Sequence, residues 1–140
     1  MITTGIIKNL KPCTSRFENY LNHYKNVNFT YAQFIGLDKI SFEDKMWVLT
    51  RLMSLENAVL FAQDAAQDAA QYAAKSANQD AAQDAARFAA QYAQDAAQDA
   101  AKSAALRADQ DATQYVQYAV QYTSQVLSRY FVLGLILKYL

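Results

Sequence analysis

Carboxylates stacked at four-residue spacing are the first feature of this chain with the means to do chemistry. Asp64 and Asp68, Asp80 and Asp84, and Asp95 and Asp99 form three such pairs, and on a helix each pair stands on one face. Paired carboxylates can hold a hard cation or pass a proton. Either task needs help that is missing here, because no His or Glu stands among them and no glycine-bearing calcium loop surrounds them. Gln precedes nearly every one of these Asp residues, which widens the polar stripe. A solvated face is the plain expectation, an acidic partner-binding stripe the sharper one, and no metal is expected.

Aromatic residues interrupt the same pattern. Tyr72, Phe88 and Tyr92 stand where the repeat would otherwise place Asp, and Tyr115, Tyr118 and Tyr122 fall at i, i+3, i+7. Tyr carries a large apolar ring with a polar tip, so it suits a core edge and a protein interface equally. Core packing is the default; rings that prove exposed and clustered would be the first candidates for a binding surface. Cys13 is the one thiol and His23 the one imidazole. Ten residues of separation neither bring them together nor keep them apart, and the expectation is a core or half-buried Cys13 and a surface His23. The chain contains no phosphate-cradling glycine loop, metal-binding Cys/His cluster or nucleophile elbow. Neither catalysis nor a cofactor is expected. Lys8, Lys11 and Arg16 are too few and scattered for a nucleic-acid footprint.

The elements that must carry these residues are helices. Only three Gly and one Pro occur in 140 residues, and the interval 37–133 lacks both. Between residues 61 and 113 Ala supplies 23 of 53 positions, and Ala is the strongest intrinsic helix former. From Ala62 the chain reads AQDA, AQDA, AQYA, AKSA, NQDA, AQDA, ARFA, AQYA, then slips by one residue into QDAA, QDAA, KSAA. Four residues overshoot one helical turn by about 40°, so the paired-alanine stripe spirals around a straight helix. The segment must therefore break into shorter helices or be surrounded by partners. Breaks near Asn78 and Asp109, as caps, give helices over about 56–76, 79–105 and 109–132, packed antiparallel at the close end of the usual interaxial range of roughly 8–10 Å.

Before the repeat, residues 1–12 read as an irregular lead-in stopped by Pro12. Thr14 or Ser15 would cap a helix bearing Phe17, Tyr20, Leu21 and Tyr24, and residues 26–28 suggest a turn. Thr30 to Ile35 suggests a short helix ending at Gly36, and Ser41 with Asp44 a capped helix carrying Met46, Trp47, Leu49, Leu52 and Met53. The large apolar residues cluster outside the repeat: Phe17, Phe29, Phe34, Trp47, Leu49, Leu52 and Leu55 early, then Val116, Val120, Leu127, Phe131 and Leu135 late. That distribution suggests that a segment over 1–55 packs on an Ala-rich unit over 56–140 as one domain.

Net charge is zero, although residues 61–113 hold eight Asp against four cations and the flanks are correspondingly basic. One cysteine excludes an internal disulfide and suits a reducing, cytoplasmic setting, and the first eleven residues show no secretory pattern. The apolar run 130–137 is far short of the roughly 20 residues of a spanning helix. A buried terminal helix is the expectation there, with a membrane-surface anchor as the rival.

Two stretches carry a resemblance. Leu10, Lys11, Pro12 and Cys13, followed about thirty residues later by Asp44, Lys45, Met46, Trp47, Val48 and Leu49, are similar to the opening of the Ala-rich immunity proteins of bacteria and their phages. There a Pro-Cys start and an Asp-x-Met-Trp-x-Leu motif precede a tract of paired alanines. In this chain Lys45 replaces an aromatic, and Gln-Asp replaces Arg- or Ser-rich pairs. The resemblance implies a protein that acts by binding and neutralising another protein, a toxin or a defence effector.

The expectations are therefore an all-α compact bundle of long Ala-rich antiparallel helices with a smaller helical N-terminal segment, and a non-enzymatic inhibitor without cofactor. The candidate contact residues are Asp64, Asp68, Tyr72, Asp80, Asp84, Tyr92, Asp95, Asp99, Tyr115, Tyr118 and Tyr122. Rival readings are a self-assembling protein pairing its Ala-rich faces into homo-oligomers, and a small-ligand sponge with a pocket between helices.

Overall fold

The computed structural model describes residues 1–75, 79–101 and 106–140, and among these the chain is all-α. Its helices are α1 (Thr4–Asn9), α2 (Thr14–Tyr24), α3 (Tyr31–Ile35), α4 (Phe42–Leu52), α5 (Leu55–Ala74), α6 (Gln79–Ala101), α7 (Leu106–Val126) and α8 (Arg129–Ile136), closed by a 3-10 turn over Leu137–Tyr139. They group into two compact units, Met1–Leu52 and Met53–Leu140.

In the first unit, local capping chemistry accounts for most boundaries. Thr30 accepts from the Gln33 backbone N–H at 3.2 Å while the Gln33 side chain accepts from the Thr30 N–H at 2.9 Å. This reciprocal box starts α3, which ends at Gly36 as expected. Ser41 Oγ accepts from the Asp44 N–H at the start of α4. The Asp44 carboxylate takes a hydrogen bond from Arg16, tying α4 to α2 and holding the Arg16 guanidinium above its ordinary pKa. Met46 and Leu49 are buried, and the Trp47 ring lies 4.2 Å beneath the Arg51 guanidinium. Asp44, Met46, Trp47 and Leu49, which carry the family resemblance, thus all have structural work inside this unit.

Residues 1–12 are not an irregular lead-in. Thr3 caps α1 by accepting from Ile6, Ile7 is buried, and Ile2 exchanges backbone hydrogen bonds with Phe29 at 2.6 and 2.9 Å. The N-cap of α2 is Cys13, with no side-chain hydrogen bond to the helix, so Thr14 and Ser15 are helical residues and not caps. The turn after α2 contains Asn26 at φ 62°, a left-handed conformation that Asn tolerates well.

The second unit is a bundle of α5, α6 and α7, with α6 and α7 in the most extensive contact. Residues 55–60 of α5 line a cleft with residues 97–101 of α6, and Phe88 meets Tyr122 while Tyr92 meets Tyr118, so successive helices run antiparallel. The seams are alanines: Ala62, Ala65 and Ala69 on α5, Ala89, Ala93 and Ala96 on α6, and Ala112 and Ala119 on α7 are all almost fully buried. Val116, Val120, Thr123 and Phe61 fill the space these small side chains leave.

The four-residue period is reconciled with the helix in two ways. α5 ends at Ala74, after three repeats of the polar position (Asp64, Asp68, Tyr72) and about 80° of drift. In α6 the polar position advances by four from Asp80 through Asp84 and Phe88 to Tyr92, then by three to Asp95, then by four to Asp99. The three-residue step turns the stripe back by about 60°, so it stays within roughly 120° of one face instead of 200°. The one-residue slip re-phases the repeat and keeps Ala96 on the same seam as Ala89 and Ala93.

Two expected boundaries are corrected. α7 begins at Leu106, so Asp109 lies inside that helix and does not cap it; Asn78 lies outside the described residues. The last apolar helix is separate from α7, because Ser128 accepts from the Phe131 N–H and starts α8. α8 buries Val132, Leu133, Leu135 and Ile136 as a terminal helix should, but Phe131 is exposed and does not join them.

Close alanine seams leave no room for added methylenes. Ala89→Leu should lower unfolding free energy by about 1–3 kcal/mol, measured by urea titration followed by circular dichroism. Ala90→Leu, on the exposed side one residue along, should stay within about 0.5 kcal/mol of the parent.

Candidate functional site

Helical spacing sets five rings on the α6–α7 surface. Phe88 and Tyr92 are one turn apart on α6, and Tyr115, Tyr118 and Tyr122 occupy successive turns of α7. Ring centroids are 5.2 Å apart for Phe88 and Tyr122, 5.1 Å for Tyr92 and Tyr118, 5.6 Å for Tyr92 and Tyr122, and 6.2 Å for Tyr92 and Tyr115. Tyr92 is the hub. Its ring is nearly parallel to that of Tyr122, with 12° between the planes, and such offset pairs contribute beyond their buried area.

The cluster straddles the boundary between core and solvent. Phe88 is 45% exposed and Tyr118 36%, while Tyr92, Tyr115 and Tyr122 are half-buried. Gln114 donates to the Tyr118 hydroxyl at 2.7 Å, which fixes the ring from its polar end. Two of its edges differ in character: residues 113–126 of α7 contain no charged side chain, whereas α6 brings Asp80, Asp84, Asp95 and Asp99 against the single cation Arg87.

Tyr92, Tyr115, Tyr118 and Tyr122 come together, with Asp84, Asp95 and Asp99 on the same stripe of α6. Asp80 opens that stripe in the first turn of α6. Gln91 donates to Asp95 at 3.2 Å, and Arg87 donates to Asp84 at 2.8 Å. Tyr72 is 56% exposed on α5. Asp64 has an internal role: it accepts from the Tyr139 hydroxyl at 2.6 Å, beside the Asn57 side chain, which donates to the Tyr139 carbonyl. Asp68 faces the same group and adds to its field. Phe88 is the ring that spacing alone underrates; its signal is its place at the Asp position of the repeat.

The other chemistry-bearing residues do not meet. Cys13 is exposed, against the expectation of burial, with its Sγ 3.9 Å from Ser15 Oγ. Exposure follows from its position as the residue capping α2. His23 is exposed and donates from Nδ1 to the Asn19 carbonyl. Among the described residues no group of three His, Cys, Asp or Glu side chains is arranged to hold a metal, and no helix is long and apolar enough to cross a membrane.

Comparison with models of protein families, with characterised proteins and with solved structures gave no significant match. Function is therefore read from the residues of the chain itself.

A cleft of about 310 Å³ opens where α5 begins and α6 ends, lined by Leu55, Glu56, Val59, Leu60, Ala97, Ala100 and Ala101. Among the described residues this lining is apolar apart from the Glu56 carboxylate.

The Asp64 contact pushes the Tyr139 phenol up to about 12, through its hydrogen bond to Asp64 first, then burial, then the charges of Asp64 and Asp68. A phenol whose folded pKa lies above its ordinary value of about 10 contributes stability that is complete below that value and lost as pH rises toward the folded one. The stability difference between the parent and Tyr139→Phe should accordingly be constant at neutral pH and shrink between about pH 10 and pH 12, as read by denaturant titration at each pH.

Proposed function

We propose that this chain is a non-enzymatic inhibitor that binds and neutralises another protein, a bacterial toxin or a host defence protein, and that its contact surface is the ring face of α6 and α7. The observation that supports this reading is the clustering of five rings at the surface with three carboxylates along one edge. Interfaces concentrate their energy in such partly buried aromatic groups, held rigid before the partner arrives. The resemblance of residues 10–13 and 44–49 to Ala-rich immunity proteins points to the same kind of action.

Self-assembly through the alanines is the weaker reading. The most deeply buried alanines of α5, α6 and α7 already face each other within the chain, and pairing them between copies would require the bundle to open. The small-ligand reading has only the apolar cleft in its favour.

The test is capture of a partner by the intact chain from host lysate, with co-expression rescue once that partner is identified. The parent should retain one protein in stoichiometric amount and relieve the growth arrest that protein causes. Tyr118→Ala, which truncates an exposed contact of the hub ring, should weaken binding by about tenfold or more, in the range of an interface hot spot. Tyr130→Ala, at the 88% exposed ring of α8, should leave it unchanged. Retention by Tyr118→Ala and by Phe88→Ala at parental affinity would sink the proposed surface, as would absence of any stoichiometric partner for the folded protein.

A further inference from the structure

Resting on that reading of the ring face, we infer that the partner presents a cationic segment whose arginine side chains lie on the rings and pair with the carboxylates beside them. The chain already contains one copy of this arrangement. The Arg87 guanidinium lies 5.8 Å from the centroid of the Phe88 ring while its Nη2 donates to Asp84 Oδ1 at 2.8 Å. Carboxylate, guanidinium and ring are thus assembled from residues 84, 87 and 88, one turn of α6.

Further along α6 the order is reversed: the ring comes first, at Tyr92, and the carboxylates Asp95 and Asp99 follow it on the same stripe, while residues 88–101 contain no Lys or Arg. Tyr92 itself is stacked between neighbouring rings, so a guanidinium from outside would lay its flat face on the exposed Tyr118 ring, 5.1 Å from Tyr92, and turn its N–H fork to a carboxylate. α6 as a whole carries four Asp against one Arg, and α7 contributes an uncharged aromatic strip over residues 113–126, so the balance of charge on the face favours a cation. Lysine satisfies the charge but not the stacking. Single-stranded nucleic acid stacks on exposed rings equally well, yet its phosphates would meet Asp84, Asp95 and Asp99, and the field on this face selects against it.

The experiment uses the full chain and three labelled peptides of identical length, with about six arginines, lysines or citrullines spaced by Gly and Ser, plus an oligothymidylate, each followed by fluorescence anisotropy. The arginine peptide should bind at least about fivefold more tightly than the lysine peptide, citrulline should bind negligibly, and affinity should fall with added salt. Tyr118→Leu, and Asp95→Asn with Asp99→Asn, should each weaken the arginine peptide about fivefold or more while leaving the thermal midpoint near that of the parent. Equal binding of arginine and lysine peptides, insensitivity to these substitutions, no binding of the arginine peptide, or tighter binding of the oligothymidylate would each overturn the inference. Its failure is separable from failure of the surface itself. A captured partner that is lost on Tyr118→Ala but held by Asp95→Asn with Asp99→Asn at high salt keeps the ring face and removes the cationic partner; a partner held by the ring variants removes both.

Discussion

An α-helix turns about 100° per residue and cannot hold a four-residue repeat on one side for long. In this chain that mismatch bears on how far α5 runs, which side chains of α5 and α6 meet, and where rings reach the surface. Alanine seams bury little area for each residue they use, so the bundle gains from them mainly by letting backbones come close, and a seam that rotated out of contact would forfeit even that. The chain answers by ending α5 after three repeats of the polar position and by re-phasing the repeat within α6.

The aromatic face is a product of the same repeat. Two positions of each tetrad lie off the alanine seam; within α5 and α6 the first is mostly Gln and the second is Asp or a ring. On α5 that second position is mostly carboxylate; midway along α6 it is Phe88 and Tyr92, and the three-residue step that follows returns Asp95 and Asp99 to the same stripe. Holding the seam in register therefore also gathers acid and ring on a single face. α7 lies outside the repeat and supplies the opposing tyrosines at ordinary helical spacing, uncharged and stiffened by packing against Tyr92.

Local chemistry makes much of this fold legible in the sequence. Thr30 with Gln33, Ser41 with Asp44, and the absence of breakers between 37 and 133 all announce helices, and the spiral of alanines requires a divided repeat. Features that depend on distant contacts are not legible in the same way. α1 starts at a local cap, Thr3, but it is held by Ile2 pairing with Phe29 and by the burial of Ile7, contacts that residues 1–12 alone do not reveal. α7 and α8 read as one run because Ser128 is a modest local signal inside a continuous apolar pattern, and the break there turns Phe131 outward. The i, i+3, i+7 spacing of Tyr115, Tyr118 and Tyr122 is plain in the sequence, but their meeting with Phe88 and Tyr92 depends on how α6 and α7 are registered against each other. Asp64 reads as one more member of an acidic stripe; its bond to Tyr139 joins residues 75 positions apart.

The re-phasing step in α6 also bears on how such a gene can change length. Repetitive coding sequence gains and loses units by slippage, and a unit here encodes four residues. One extra tetrad would swing everything beyond it by about 40°, two by about 80°, and the downstream alanines would leave the seam. Roughly eleven residues, two tetrads and a triplet, rotate the helix by only about 20°, and about eighteen return it to the starting angle after five full turns. Length variants that keep this bundle should therefore be spaced by about eleven or eighteen residues within a helix, although the repeat itself multiplies by four.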